Sequence, residues 1–348
     1  MLALALVASA AVALPAPMLE RPSAAAVATA PAVIPDSTLA TRKAERVLAL
    51  GNYWGGRYNT ATGEQVTVYV SDGYPQDQTI PQRWANFLDS LVHGSELGQV
   101  TAYLAPLDEV QSICGIEALA CYSPDQSLLV APGDAPAADI SAEAIVTHEY
   151  GHHVAAHRLN PPWLAVDYGT KRWASYNQVC SKSRAGTLHP GAESLPYYML
   201  NPGEGFAESY RVLNQHKLAL PETAWDIVDQ SLYPSAQSLA LLEQDVTSPW
   251  AKPTTTAYRG SLRGRTKSRT IRVATGLDGS LRLDVRASSR VRLRFRVSLP
   301  SGKALATRTV AASHDSVVST TICGQRSYSV RISRLRGAGA FTLSVTEP

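Results

Sequence analysis

Past its first sixteen residues, the 348-residue sequence has no apolar run long enough to cross a bilayer as a helix, which excludes a helical membrane span there. It has no glycine-rich phosphate loop and no serine or cysteine nucleophile motif, which argues against nucleotide and acyl-enzyme chemistry. In its most basic region no aromatic side chains interleave with the arginines, so nucleic-acid binding is not expected. Charged residues reach only 18% while apolar ones make up 45%, a balance that leaves ample core and excludes a disordered or fibrous chain. No Lys or Arg precedes the apolar opening run, although a signal peptide usually carries one.

That opening run, residues 1–16, still reads as a secretory signal, with small-residue triplets at Ala8-Ser9-Ala10 and Ala11-Val12-Ala13. A secreted, extracellular protein is therefore expected. Residues 17–43 are rich in Ala, Pro, Thr and Ser and read as a linker or pro-segment. At about 100–200 residues per domain, the remainder makes two domains, 44–252 and 253–348. The even count of four cysteines favours disulfides. Cys114 and Cys121 suit a small closed loop around Gly115-Ile116-Glu117, which leaves Cys180 to pair with Cys323 across the two halves.

Strands are expected at Val66–Val70, Gln99–Leu104 and Ser127–Ala131. Helices are expected at Pro81–His93, opened by Pro81, and at Asp108–Cys114, Ile140–Arg158, Glu204–His216, Glu222–Ser231 and Ser235–Asp245. Beyond Lys252 the pattern alternates, as in Leu281–Ala287, Val291–Val297, Ser327–Ile332 and Phe341–Val345, which indicates an antiparallel sandwich. In Val291–Val297 one face is apolar and the other is all arginine. From residue 253 onward 18 Lys/Arg face 4 Asp/Glu, a net of +14, whereas residues 1–252 carry 14 against 25, a net of −11. Such a basic domain can bind anionic cell-surface polymers, or its arginines can simply be the solvated face of the strands.

The chemistry is concentrated in Thr147-His148-Glu149-Tyr150-Gly151-His152-His153, an HExxH pattern on an expected helix. Residues four apart share a helix face, so His148 and His152 can direct ring nitrogens at one ion. Glu149 is then placed to serve a metal-activated water as general base. Two histidines and one carboxylate with an open position suit a single catalytic Zn2+. The extended HExxHxxGxxH pattern fails, because Ala155 and Arg158 occupy its last two positions, and His153 and His157 point off the metal face. A third ligand can come from Asp167 or from Asn201–Glu208.

HEYGHH followed some fifty residues on by Glu204-Gly205-Phe206-Ala207-Glu208 resembles the gluzincin class of metallopeptidases, and within it the anthrax lethal factor catalytic-domain family. The likeness covers roughly Ser127–Leu213. It implies an α+β zincin-like catalytic domain with a mixed sheet and an active-site helix, followed here by the all-β sandwich. It also implies Glu204 as third zinc ligand, Glu208 orienting a ligand histidine, and an oxyanion-stabilising tyrosine seven residues before Glu204, at Tyr197 with Tyr198 beside it. The segments Cys323–Tyr328 and Gly339–Leu343 are similar to the small β-domains that follow catalytic domains in secreted bacterial peptidases.

A zinc metallopeptidase is the resulting expectation, an endopeptidase rather than an exopeptidase, acting on a peptide or protein substrate. Leu128, Leu129 and Val130 lie on a strand that would either bind extended peptide at a sheet edge or simply fill the core. Trp163, Lys171-Arg172-Trp173 and His189 are further candidates for the cleft, with domain packing or an ordinary loop as the alternative. Two other functions remain open: a non-catalytic surface-binding protein with a structural zinc site, and a zinc amidase acting on cell-wall crosslinks.

Overall fold

The computed structural model describes residues 52–288, 290–311, 316–324 and 326–348. The expected signal, the linker and the start of folded sequence at residues 44–51 lie outside them. Among the described residues no helix is long and apolar enough to cross a membrane.

The first half is a mixed α/β layer structure. In chain order it contains β1 (Tyr53–Asn59), β2 (Gln65–Ser71), α1 (Thr79–Ser90), β3 (Thr101–Ala105), α2 (Leu107–Cys114), β4 (Cys121–Ser123), β5 (Leu128–Pro132) and α3 (Ala142–Ala156). The small strands β6 (Leu159–Asn160) and β7 (Trp163–Leu164) follow, then α4 (Ala165–Tyr168), α5 (Lys171–Tyr176), α6 (Val179–Arg184), α7 (Pro202–Leu218) and α8 (Ala236–Thr247). The main sheet runs β1-β2-β3-β5-β4, with β2, β3 and β5 parallel and both edge strands antiparallel.

This order corrects one expectation. Leu128, Leu129 and Val130 do not lie on a sheet edge, because β5 is hydrogen-bonded on both sides, to β3 and β4. All three are fully buried: Leu128 and Val130 pack with α2, and Leu129 joins the main core on the other face. A strand covered on both faces reads as a continuous apolar run, so its backbone and side chains are unavailable to substrate. The edge on that side is β4.

A second correction concerns the helix expected at Glu222–Ser231. The chain there is irregular apart from a short 3-10 turn at Gln230–Leu232. The Arg211 guanidinium donates to the Thr223 and Ala224 carbonyls, at 3.4 and 3.3 Å, which takes acceptors that a helix would use internally. Helix α1 also opens at Thr79, two residues before Pro81, with Asp77 accepting from the Thr79 amide at 2.9 Å.

Helix α3 is buried nearly all round, as expected of a helix apolar on most faces, and the Ser141 hydroxyl caps it by accepting from the Ala144 amide at 3.1 Å. Helix α7 crosses it closely. A Cβ on Gly151 would stand 2.9 Å from the Ala207 Cα, so glycine at this point inside HExxH lets the two backbones approach.

Strands from Thr254 onward form two four-stranded antiparallel sheets around their own core: β8 (Thr254–Leu262), β9 (Ser268–Thr275), β10 (Gly279–Ala287), β11 (Val291–Ser298), β12 (Ala304–Val310), β13 (Ser316–Ile322), β14 (Arg326–Gly337) and β15 (Gly339–Glu347). Their orders are β13-β10-β15-β8 and β12-β11-β14-β9. One end of this sandwich meets α5 and α6. The Asp278 amide donates to the Ser175 hydroxyl at 2.9 Å, and Arg184 donates to the Thr321 carbonyl at 3.3 Å. The disulfide Cys180–Cys323 closes the same seam, while Cys114–Cys121 ties α2 to β4.

Because Cys180–Cys323 closes a loop of sequence separation 143, its removal should act strongly through the unfolded chain. The double variant C180S/C323S is expected to lose about 2–4 kcal/mol of unfolding free energy. Urea unfolding under non-reducing conditions reads this directly, and an unchanged midpoint would show that noncovalent contacts alone hold the seam.

Candidate metal centre

Helices α3 and α7 bring three chain-distant side chains to one point. His148 Nε2 lies 3.3 Å from Glu204 Oε2, His152 Nε2 lies 3.2 Å from the same oxygen, and the two ring nitrogens are 3.2 Å apart. All three residues are buried, and they form a group of the kind that holds a metal ion.

The start of α7 is built to present Glu204. Asn201 caps the helix by accepting from the Gly203 amide at 2.9 Å, and Pro202 occupies the first turn, where its missing N–H costs nothing. Gly203 allows the chain to pass the α4 backbone, since a Cβ there would lie 2.4 Å from the Val166 carbonyl oxygen. Tyr198 donates its hydroxyl to Glu204 Oε2 at 3.2 Å. Burial pushes the Glu204 carboxyl up, but His152 and His148 outweigh it and hold the acid well below its ordinary value.

One turn later Glu208 accepts from His148 Nδ1 at 2.8 Å. A carboxylate at Nδ1 fixes the proton on that nitrogen and leaves the Nε2 lone pair for a cation. Glu208 is completely buried and would be costly alone. Arg211, at i+3, grips it with Nε at 2.9 and 3.1 Å and Nη2 at 2.5 Å. Burial raises the Glu208 pKa, yet the guanidinium and His148 overcome it and bring it down to about 2. The spare Arg211 donors reach Gln215 at 2.7 Å and the Thr223 and Ala224 carbonyls.

Glu149 is 2% exposed and lines a recess of about 50 Å³ with His148, Ala144, Ile145, Ile140 and Tyr198. On the other side, His152, Glu204 and Tyr198 border a cavity of about 130 Å³ whose wall includes Tyr122 and Pro124 at the β4 edge. Asp167 and Glu193 line the same cavity, and burial together with Glu193 raises the Asp167 pKa. Asp167 is thus near the metal group without belonging to it.

Of the two candidate tyrosines, Tyr198 faces the metal group and Tyr197 does not. Tyr197 is 53% exposed, and its ring meets His189 with centroids 4.3 Å apart. The count of seven is off by one because residues 198–200 form a 3-10 turn running into the Asn201 cap, and the inward position in it is Tyr198. His189, Tyr197, Trp163 and Tyr168 wall a separate groove of about 500 Å³ that shares Gly191 and Ala192 with the metal-side cavity. Lys171 and Trp173 are away from the cleft: Lys171 donates to the Pro161 carbonyl at 2.9 Å, and Trp173 is fully buried in the core. Arg172 pairs with Asp245 at 2.7 Å. His153 is locked between the Tyr122 hydroxyl and the Glu96 carbonyl, and burial lowers its pKa to about 4.

Arg211 and Tyr122 were missed by sequence reasoning, and Asn201, at the start of the segment that offered the third ligand, was not read as the helix cap. The Glu-x-x-Arg spacing of Glu208 and Arg211 inside an apolar helix signals a buried ion pair, and Asn-Pro before the helix signals its cap. Tyr122 carries no comparable local signal.

No family model matches this chain, and no curated protein matches it. Solved structures with a likeness cover about a quarter of it. The pre-peptidase C-terminal domain of collagenase from Bacillus anthracis is 16% identical over 26% of this chain and 88% of that one, at a TM-score of 0.24. The Yersinia pseudotuberculosis-derived mitogen is 11% identical over 28% and 87%, at 0.21. PliG of Aeromonas hydrophila, a periplasmic inhibitor of g-type lysozyme, is 13% identical over 27% and 86%, at 0.20.

Two measurements test the centre. Glu204→Ala is expected to weaken zinc affinity far more than Asp167→Ala, read by competition with a chromogenic chelator, and the reverse order would move the third ligand. Glu208→Gln is expected to weaken it about 10–100-fold through His148, whereas Arg211→Met should cost about 3–5 kcal/mol of stability by leaving Glu208 buried without its cation.

Proposed function

We propose that this protein is a secreted zinc metallopeptidase with a zincin-like catalytic half, in which His148, His152 and Glu204 hold one zinc ion. The observation that carries the reading is the mutual spacing of 3.2–3.3 Å among the three donor atoms. Tetrahedral ligands at about 2.0–2.1 Å from zinc stand about 3.3–3.4 Å apart, so the spacing of these donors would suit three positions of such a shell. The charge inventory agrees: Glu149, Glu204 and Glu208 are buried around one fixed cation, Arg211, which favours adding a divalent ion.

Structural zinc sites are closed by a fourth protein ligand, whereas catalytic ones keep a position open. Among the described residues the group has three members. When bound, zinc supplies a Lewis acid and lowers the pKa of water at the open position. Glu149, next to His148 in sequence and lining the recess beside it, takes up the proton at its carboxylate and returns it to the leaving amine. Tyr198, whose hydroxyl here donates to Glu204, would turn that hydroxyl towards the developing oxyanion, and Glu208 keeps His148 in its ligating tautomer. Two disulfides suit the oxidising compartment that secretion implies.

Incubation with a diverse peptide library, with and without chelator, tests the function. Chelator-sensitive cleavage by the wild type is expected, and Glu149→Gln should keep zinc while losing about 100–10,000-fold in turnover. Cleavage of cell-wall crosslink amides with peptides left intact would make the protein an amidase. Hydrolysis of neither, with zinc bound, would leave a structural site in a binding protein.

A further inference from the structure

The exposed face of the β12-β11-β14-β9 sheet is a lattice of arginine and hydroxyl groups. Alternation along β11 turns Leu293, Phe295 and Val297 into the core and Arg292, Arg294 and Arg296 outward. Register extends this pattern across the sheet. Arg292 stands directly opposite Arg336, and Arg296 directly opposite Arg331. Arg272 on β9 is exposed on the same face, opposite Ser329. Between the arginines sit Thr307 and Thr309 of β12, Ser333 of β14 and Thr270 of β9.

Directly opposed like charges weaken a sheet, so two arginine pairs facing each other across strands oppose folding. Among the described residues no acidic residue occurs on this face to offset them, and no ion pair engages these six arginines. The outer face of the second sheet, by contrast, places Asp284 among its arginines. Solvation alone asks only for polar side chains of either sign. A one-sign lattice retained at a cost fits a ligand that supplies the missing negative charges in a repeating array.

We propose that this face binds a linear phosphodiester-linked polyol, an anionic polymer of the cell-envelope type. Each guanidinium matches a phosphate with two parallel donors, and the serine and threonine hydroxyls between them suit the ester oxygens and free hydroxyls of the polyol. The face is open and carries no aromatic side chain, so nothing on it stacks against a sugar ring or a base. A ring-free backbone read through its charges is therefore the best match. Bound there, the polymer would hold the half that carries the candidate metal centre at a surface, since one end of the sandwich is fixed to α6 by the Cys180–Cys323 bridge.

Binding of the intact protein to immobilised poly(glycerol phosphate) tests this, measured across a salt series. The affinity is expected to fall steeply with salt. R292E/R296E would convert both opposed pairs into Glu–Arg pairs, so its melting temperature should hold or rise while affinity falls at least about 100-fold. R259E/R282E, on the other sheet, should stay within about threefold of wild type. Undiminished binding by R292E/R296E would overturn the proposal. So would a wild-type preference for dextran sulfate, duplex DNA or phosphatidylglycerol vesicles over poly(glycerol phosphate) at about 150 mM NaCl.

Discussion

A carboxylate with no access to water is tolerable only if its charge is matched in place, and the Arg211–Glu208–His148 relay meets that condition at the centre of this protein. Each member fixes the next. The guanidinium holds Glu208 ionised, the ionised carboxylate fixes the proton on His148 Nδ1, and that proton sets which nitrogen faces Glu204 and His152. The relay lies on two helices whose separation is limited by Gly151, so local side-chain chemistry and helix packing are one constraint. A side chain at residue 151 would force α3 and α7 to shift apart, moving both glutamates relative to the histidines together.

Arg211 has a second effect, on the chain beyond α7. Its remaining donors bind the carbonyls of Thr223 and Ala224, and this holds the segment before α8 open rather than helical. That segment supplies Thr223, Ala224, Asp226 and Ile227 to the recess that Glu149 lines. The same cation therefore neutralises the buried carboxylate and shapes a wall of the site.

Much of this was legible in the sequence because it is periodic. The i, i+4 spacing of His148 and His152 and the alternation of the C-terminal strands report directly on which residues share a face. What escaped depends on pairing between distant segments. The residues of β5 read equally well as an edge or a centre until β4 is seen beside them, since an apolar run is silent about what lies on each flank. Tyr197 and Tyr198 differ by one position, and only the 3-10 turn that follows decides which ring points inward. The run after Glu222 has Trp225, Ile227 and Val228 to suggest a helix, but it is irregular, and two of its carbonyls accept from Arg211.

Charge is handled in opposite ways in the two halves. In the first, several ionic groups are buried and individually matched: Glu208 by Arg211, Glu96 by Arg158 at 2.7 Å, Asp245 by Arg172. In the second, arginines are many and exposed, and among the described residues no ion pair engages the six on the β12-β11-β14-β9 face. The halves carry net charges of opposite sign, but attraction spread over such surfaces is screened within about 10 Å at ordinary salt and cannot fix an orientation. Orientation falls instead to short-range chemistry at the seam. There Lys171, 1% exposed, donates to the Pro161 carbonyl and sits 4.9 Å from the Trp250 ring centroid; burial lowers its pKa to about 8, with Asp278 and Asp245 opposing that shift. A lysine buried there costs stability unless the sandwich contributes Asp278 beside it. The covalent bridge and the Asp278 charge near Lys171 favour the same docking, and the arginine face is left clear of the seam and open to solvent.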